Sequence, residues 1–143
     1  MENQHTLHPY FYTLIAVSAL TVILLTATSA DMDWDFAWLF CGFLLYIPLL
    51  FVKNRVLTGV VIAAEYLFLL FVFWIIMMLL RYEPGEELAS LGLFIFHSVL
   101  RLYLFLKVAG ADNRYALPLA IAFALLVSTA VYWHGSTDYL KLM

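Results

Sequence analysis

Glu65, His97 and Arg101 are ionisable residues set in the middle of stretches that otherwise read as lipid-soluble helix. A charged side chain at the centre of a bilayer costs about 2.5–3.5 kcal/mol on insertion scales, so such groups face a protein interior, pair with one another or line a pathway. A carboxylate beside an imidazole is the usual proton-relay pair, because histidine exchanges protons near neutral pH. A guanidinium beside the same carboxylate points the other way, toward a static ion pair or an anion site. Three readings follow. The cluster is a pathway for protons, ions or a small anionic ligand, or it is an interhelical ion pair that sets helix register while Arg101 snorkels toward the cytoplasmic interface, or it contacts a partner protein.

Spacing makes the cluster geometrically feasible. Glu65 lies ten residues after Arg55, and His97 ten residues before Lys107. At ~1.5 Å per helical residue both fall about 15 Å from one boundary, near the midplane of a ~30 Å hydrocarbon core. Arg101 follows His97 by four residues and therefore shares its helix face. Tyr66, Ser98 and Tyr103 are the neighbouring hydrogen-bonding candidates.

The elements that must position these residues are apolar segments. Five are expected, over residues 10–30, 36–52, 56–80, 88–106 and 116–133, separated by short polar breaks. A span takes roughly 17–25 residues. The fourth segment, which holds His97 and Arg101, admits a second reading as a re-entrant or interfacial helix, leaving four spans. Its apolar residues surround the helix instead of forming one stripe, which favours five, since an interfacial helix shows a wide polar face.

Composition requires such an architecture. The 143 residues are 66% hydrophobic and only 12% charged, against about 25% charged in a typical soluble domain. The expected fold is an all-α integral membrane protein, a single transmembrane domain over residues 1–143. Net charge is −3 with no basic run, so nucleic acid is not an expected partner. The first ten residues carry no Lys or Arg, so a signal peptide is not expected and the first apolar stretch should remain as a span. No lipidation motif is evident.

Orientation follows from Lys and Arg in the breaks. Lys53, Arg55, Lys107 and Arg114 mark one side as cytoplasmic, against Arg81 and Lys141 on the other. This places the N-terminus inside and the C-terminus outside, in a plasma membrane of bacterial inner-membrane type. Tyr10, Phe11, Tyr12 and Tyr115 fall at the inner interface, and Trp34, Trp38, Tyr82, Tyr132 and Trp133 at the outer one. Small residues that permit close helix approach recur as Gly59 and Ala63 in the third segment, and as Ala120, Ala124 and Ser128 in the fifth. In the first, Thr13, Ser18 and Thr21 offer polar contacts. These faces could serve the single chain or self-association.

Other candidates carry less. Asp31, Asp33 and Asp35 alternate but lack the glycine and distal glutamate of a calcium loop. Glu83, Glu86 and Glu87 around Pro84-Gly85 read as a turn and a helix start. Cys41 reads as a small packing residue, and Pro48 as a kink. His5, His8 and His134 fall on opposite sides, so no metal is expected, and one mid-span histidine does not make a bis-histidine haem site. No cofactor is expected. No nucleophile-elbow, zinc-protease or phosphate-loop motif is present, and Glu65 with His97 would lack a nucleophile or metal, so catalysis is not the expected activity.

Two function classes remain. The first is a non-catalytic partner or accessory subunit of a membrane complex, an immunity-type inhibitor included, contacting lipid and another membrane protein. The alternative is a small oligomeric transporter or channel using the Glu65, His97 and Arg101 cluster. The direction in which Glu65 points discriminates them: inward with water access for transport, outward to lipid for a partner.

Overall fold

The computed structural model describes residues 8–28, 40–79 and 86–142, and these form helices with no strand among the described residues. In order they are α1 (His8–Thr28), α2 (a 3-10 turn Phe40–Leu45 running into an α-turn Tyr46–Leu49), α3 (Arg55–Leu79), α4 (Glu86–Ala109) and α5 (Asn113–Leu142). Three contain stretches long and apolar enough to cross a membrane, namely Arg55–Ile75, Leu91–Ala109 and Asn113–His134. The described apolar stretch of α1, Pro9–Leu24, is shorter.

Local chemistry sets the helix ends. The Asn54 side chain caps α3, its Oδ1 accepting from the Val56 and Leu57 amides at 3.0 and 3.3 Å. Gly110 closes α4 at φ 92°. Its amide donates to the Lys107 carbonyl at 3.1 Å, and the Ala111 amide to Leu106 at 2.9 Å. This is a Schellman stop, in which glycine adopts the left-handed conformation without a Cβ penalty. Two residues on, the Asp112 carbonyl takes up the Tyr115 and Ala116 amides as α5 begins.

Burial recurs with helical period, and on α1 and α5 the buried face is the less apolar one. On α1 the inward residues are Phe11, Leu14, Ser18 and Thr21, while Leu20, Ile23 and Leu24 are exposed. On α5 Ala116, Ala120, Ala124 and Ser128 are fully buried, while Leu117, Leu119, Ile121, Phe123, Leu125 and Leu126 face out. A water-soluble bundle would do the opposite, since contiguous apolar patches that large are not left in water. Small and polar residues inside, bulky apolar residues outside, is the pattern of helices packing in lipid.

The helices alternate in direction. At one end, the start of α1 (Phe11, Leu14), the end of α2 (Leu49), the start of α3 (Ile62) and the end of α4 (Leu104, Val108) share one core cluster. At the other, Leu69, Val72 and Phe73 of α3 pack on Phe94 of α4, with Val131 and Tyr132 of α5 beside them. The Phe73 and Phe94 rings stack there at 3.9 Å. Glu65, His97 and Arg101 lie between the two clusters along α3 and α4, as a polar layer.

The fourth segment, expected as a span with an interfacial helix as the alternative, is a regular 24-residue helix. The second is the irregular one: its described helix, α2, has six 3-10 and four α residues, about 18 Å long, and reaches from the Glu65 level to the first cluster only. Residues 29–39, which hold the rest of that segment and the Asp31, Asp33 and Asp35 break, lie outside the described residues. So do His5, Arg81, Tyr82 and Glu83, and the side chains of His8, Cys41, Glu86 and Glu87. Pro48 lies in the last turn of α2. The fifth segment does not stop at Trp133; α5 continues to Leu142 for 30 residues.

Candidate functional site

The structure brings Glu65, His97 and Arg101 together. All three are buried, Glu65 at 3% and Arg101 at 2% exposure. The Arg101 guanidinium grips the Glu65 carboxylate with two bonds, Nε donating to Oε2 at 2.6 Å and Nη2 to Oε1 at 2.9 Å. This fork-to-carboxylate geometry is the strongest side-chain pairing available to arginine. Arg101 therefore points into the bundle, and the snorkelling expected for it does not occur: a carboxylate at matched depth on the adjacent helix satisfies it better than a remote interface.

Two residues missed from sequence complete the carboxylate's surroundings. The Tyr46 hydroxyl of α2 donates to Glu65 Oε2 at 2.7 Å. Gly42, one turn earlier, lies so close that a Cβ there would meet Glu65 Cγ and Oε1 at 3.3 Å. Tyr46 is fully buried. Its signal in the sequence was weak, because one tyrosine in an apolar segment reads equally well as an interface anchor.

On the other side of the guanidinium the network has a fixed direction. Arg101 Nη1 lies 3.1 Å from His97 Nδ1 and 3.3 Å from the His97 carbonyl. Arginine carries only donors, so Nδ1 accepts and the ring proton resides on Nε2. Nε2 then donates to Thr21 Oγ1 of α1 at 2.9 Å, and the threonine hydroxyl donates to the Val17 carbonyl at 2.8 Å. The chain of bonds runs from α2 through α3 and α4 to α1. Thr21 was visible as a polar residue of the first segment, but not as the partner of His97.

Other expected neighbours fall elsewhere. The hydroxyls of Tyr66 and Ser98 are both buried, and among the described residues neither has a partner in good hydrogen-bond geometry. Tyr103 meets Tyr10 edge to face at 5.6 Å. Lys107, expected in a cytoplasmic break, is instead buried in the last turn of α4, its ammonium about 6 Å from both rings. That place suits a cation, at a helix C-terminus and over aromatic faces. Phe11, assigned to an aromatic belt, is in the core, whereas Tyr12 and Tyr115 are exposed. At the far end Trp74 Nε1 donates to His134 Nδ1 at 3.2 Å.

The small residues divide by role. Ala120, Ala124 and Ser128 are buried within the chain, together with Ala116, which the sequence reading omitted. A Cβ at Gly59 would meet Phe105 and Val108 of α4 at 3.9 Å, an ordinary van der Waals contact. Ala63 instead lines a cavity of about 350 Å³ between α3, α4 and α5, bounded also by Leu67, Phe105, Phe123 and Val127. Among the described residues no three His, Cys, Asp or Glu side chains gather in a way that could hold a metal ion.

Chemically, the cluster is a neutralised unit. Both oxygens of its one carboxylate are occupied, its cation is spent on that carboxylate and on His97, and His97 is bonded at both ring nitrogens. Comparison of the chain with protein-family models, curated proteins and solved structures finds no match.

Proposed function

We propose that this chain is a multi-pass membrane protein of five crossings that serves as a non-catalytic partner or accessory subunit of a membrane complex. The crossings would be α1, the segment containing α2, and α3 to α5. The outward bulky apolar residues on α1 and α5 support the membrane setting. Alternation of helix direction supports five crossings, and the lysine and arginine bias supports an N-terminus on the cytoplasmic side.

The observation that carries the non-catalytic reading is the closed bidentate pair of Glu65 and Arg101. Glu65 points inward, so it is not itself a partner contact as the outward reading required, and it lacks the water access that transport required, because Arg101 and Tyr46 occupy its oxygens and the side chain is buried. A proton or ion carrier needs a group that can exchange with water, and the geometry offers none at Glu65. What the chain does present outward is apolar helix surface, suited to lipid and to another transmembrane helix.

Reconstitution tests the choice. Purified protein in proteoliposomes should show no proton, cation or small-anion flux above empty vesicles. In native membranes, a photo-crosslinking residue at an outward position of α5 such as Leu119 or Leu126 should give one protein adduct of reproducible mass. Flux that is lost in Glu65→Gln while the fold survives would overturn the proposal in favour of a pathway; lipid adducts alone would overturn the partner role.

A further inference from the structure

α4 is the least apolar of the three long candidate spans, and α3 the most apolar. Among the described side chains of α4, the polar residues His97, Ser98, Arg101 and Lys107 are all buried in the finished bundle. As a lone helix α4 would present Arg101 to lipid. Its two strongest bonds both go to Glu65, on the helix immediately before it in the chain. Only residues 80–85 separate Leu79 from Glu86, so the two helices are joined by a connection too short to hold them apart. Neither bond needs α1, α2 or α5.

We infer that α3 and α4 enter the membrane as a paired hairpin, and that Glu65, already placed by the more apolar α3, is what allows α4 to cross. This rests on the multi-pass reading above. The physical reason is order of appearance: α3 emerges first, and its carboxylate supplies an internal counter-ion before Arg101 must leave water. A charge satisfied within the entering unit does not have to be desolvated alone. The bonds from Tyr46 and from His97 to Thr21 then attach this hairpin to α2 and α1.

The test uses the full chain in a Cys41→Ser background, with a single reporter cysteine introduced as Lys53→Cys or Asp112→Cys. Pulse-labelled chains are probed with a membrane-impermeant maleimide from each side, before degradation can remove misinserted ones. Positions 53 and 112 should label from the same side in the parent. Glu65→Leu should leave position 53 unchanged and raise labelling of position 112 from the opposite side by roughly tenfold or more, the scale set by inserting an unpaired arginine. Arg101→Leu should keep the parental pattern, because α4 no longer carries the charge that needs help. Glu65→Leu with Arg101→Leu should restore that pattern. Parental labelling of position 112 in Glu65→Leu alone would overturn the hairpin inference while leaving the topology intact. Opposite-side labelling of positions 53 and 112 in the parent would overturn the topology, and the hairpin with it.

Discussion

α1 and α2 are joined to the centre of this bundle by directed polar bonds, whereas α5 meets the centre through small buried side chains, with its bond from Trp74 to His134 lying at the far end. Thr21 accepts a hydrogen bond from His97, and Tyr46 donates one to Glu65. Across the molecule Ala116, Ala120, Ala124 and Ser128 bury completely, and the Ser128 hydroxyl completes no hydrogen bond. The polar side specifies a register, because each bond has one partner at one distance. The small-residue side specifies closeness, because four short side chains on one face let α5 approach backbone to backbone. On the membrane setting proposed above, the hydrophobic effect does not drive helices together, so both devices are needed, and they respond differently to substitution.

Removing one charge should do the most damage. Glu65→Leu or Arg101→Leu leaves an uncompensated buried ion, and loss of about 3–5 kcal/mol is expected, read as a large fall in thermal midpoint in mild detergent. On the same side, Tyr46→Phe removes a bond to a charged acceptor and should cost about 1.5–3 kcal/mol, measured by the same melts, with α2 becoming more susceptible to proteolysis than α5. The α5 face should respond to bulk, not polarity: Ala124→Leu forces extra volume into a closed contact, at about 1–3 kcal/mol, whereas Ser128→Ala should be neutral or stabilising, and steric-trap unfolding would separate the two. On the polar side the smallest effect is expected for Thr21→Val, which keeps the shape and removes a neutral interhelical bond; such bonds average about 0.6 kcal/mol in membranes. If Thr21→Val proved as damaging as Tyr46→Phe, the polar side would be a cooperative unit instead of an ion pair with attachments.

Legibility in the sequence followed the same division. Glu65, His97 and Arg101 were conspicuous because charge is rare in these segments, and counting residues from Arg55 and Lys107 put Glu65 and His97 at one depth, with Arg101 one turn away on the same face. The alanines of α5 were visible as a four-residue spacing. What could not be read was where a common residue finds a rare partner: Tyr46, Thr21 and Gly42 acquire meaning only once α2 and α1 lie beside Glu65 and His97. The second segment misled because hydropathy measures what a stretch is made of and not how it winds. Residues 36–52 are apolar throughout, yet α2 winds as a 3-10 turn and brings Gly42 against a buried carboxylate. The fourth segment was read as a span in spite of its charges, and a counter-ion on α3 is what lets it be a regular helix.

The central claim is that Glu65 and Arg101 serve as an internal clasp, each mattering because of the other. A double-mutant cycle on the two residues in mild detergent tests it directly. Glu65→Leu and Arg101→Leu should each be severely destabilised, and the double variant should recover most of the parental stability, with a coupling of at least about 2 kcal/mol, as apolar replacement of a whole buried pair predicts. If the losses of the two single variants instead added in the double variant, the two groups would be acting independently, and the clasp account would be contradicted.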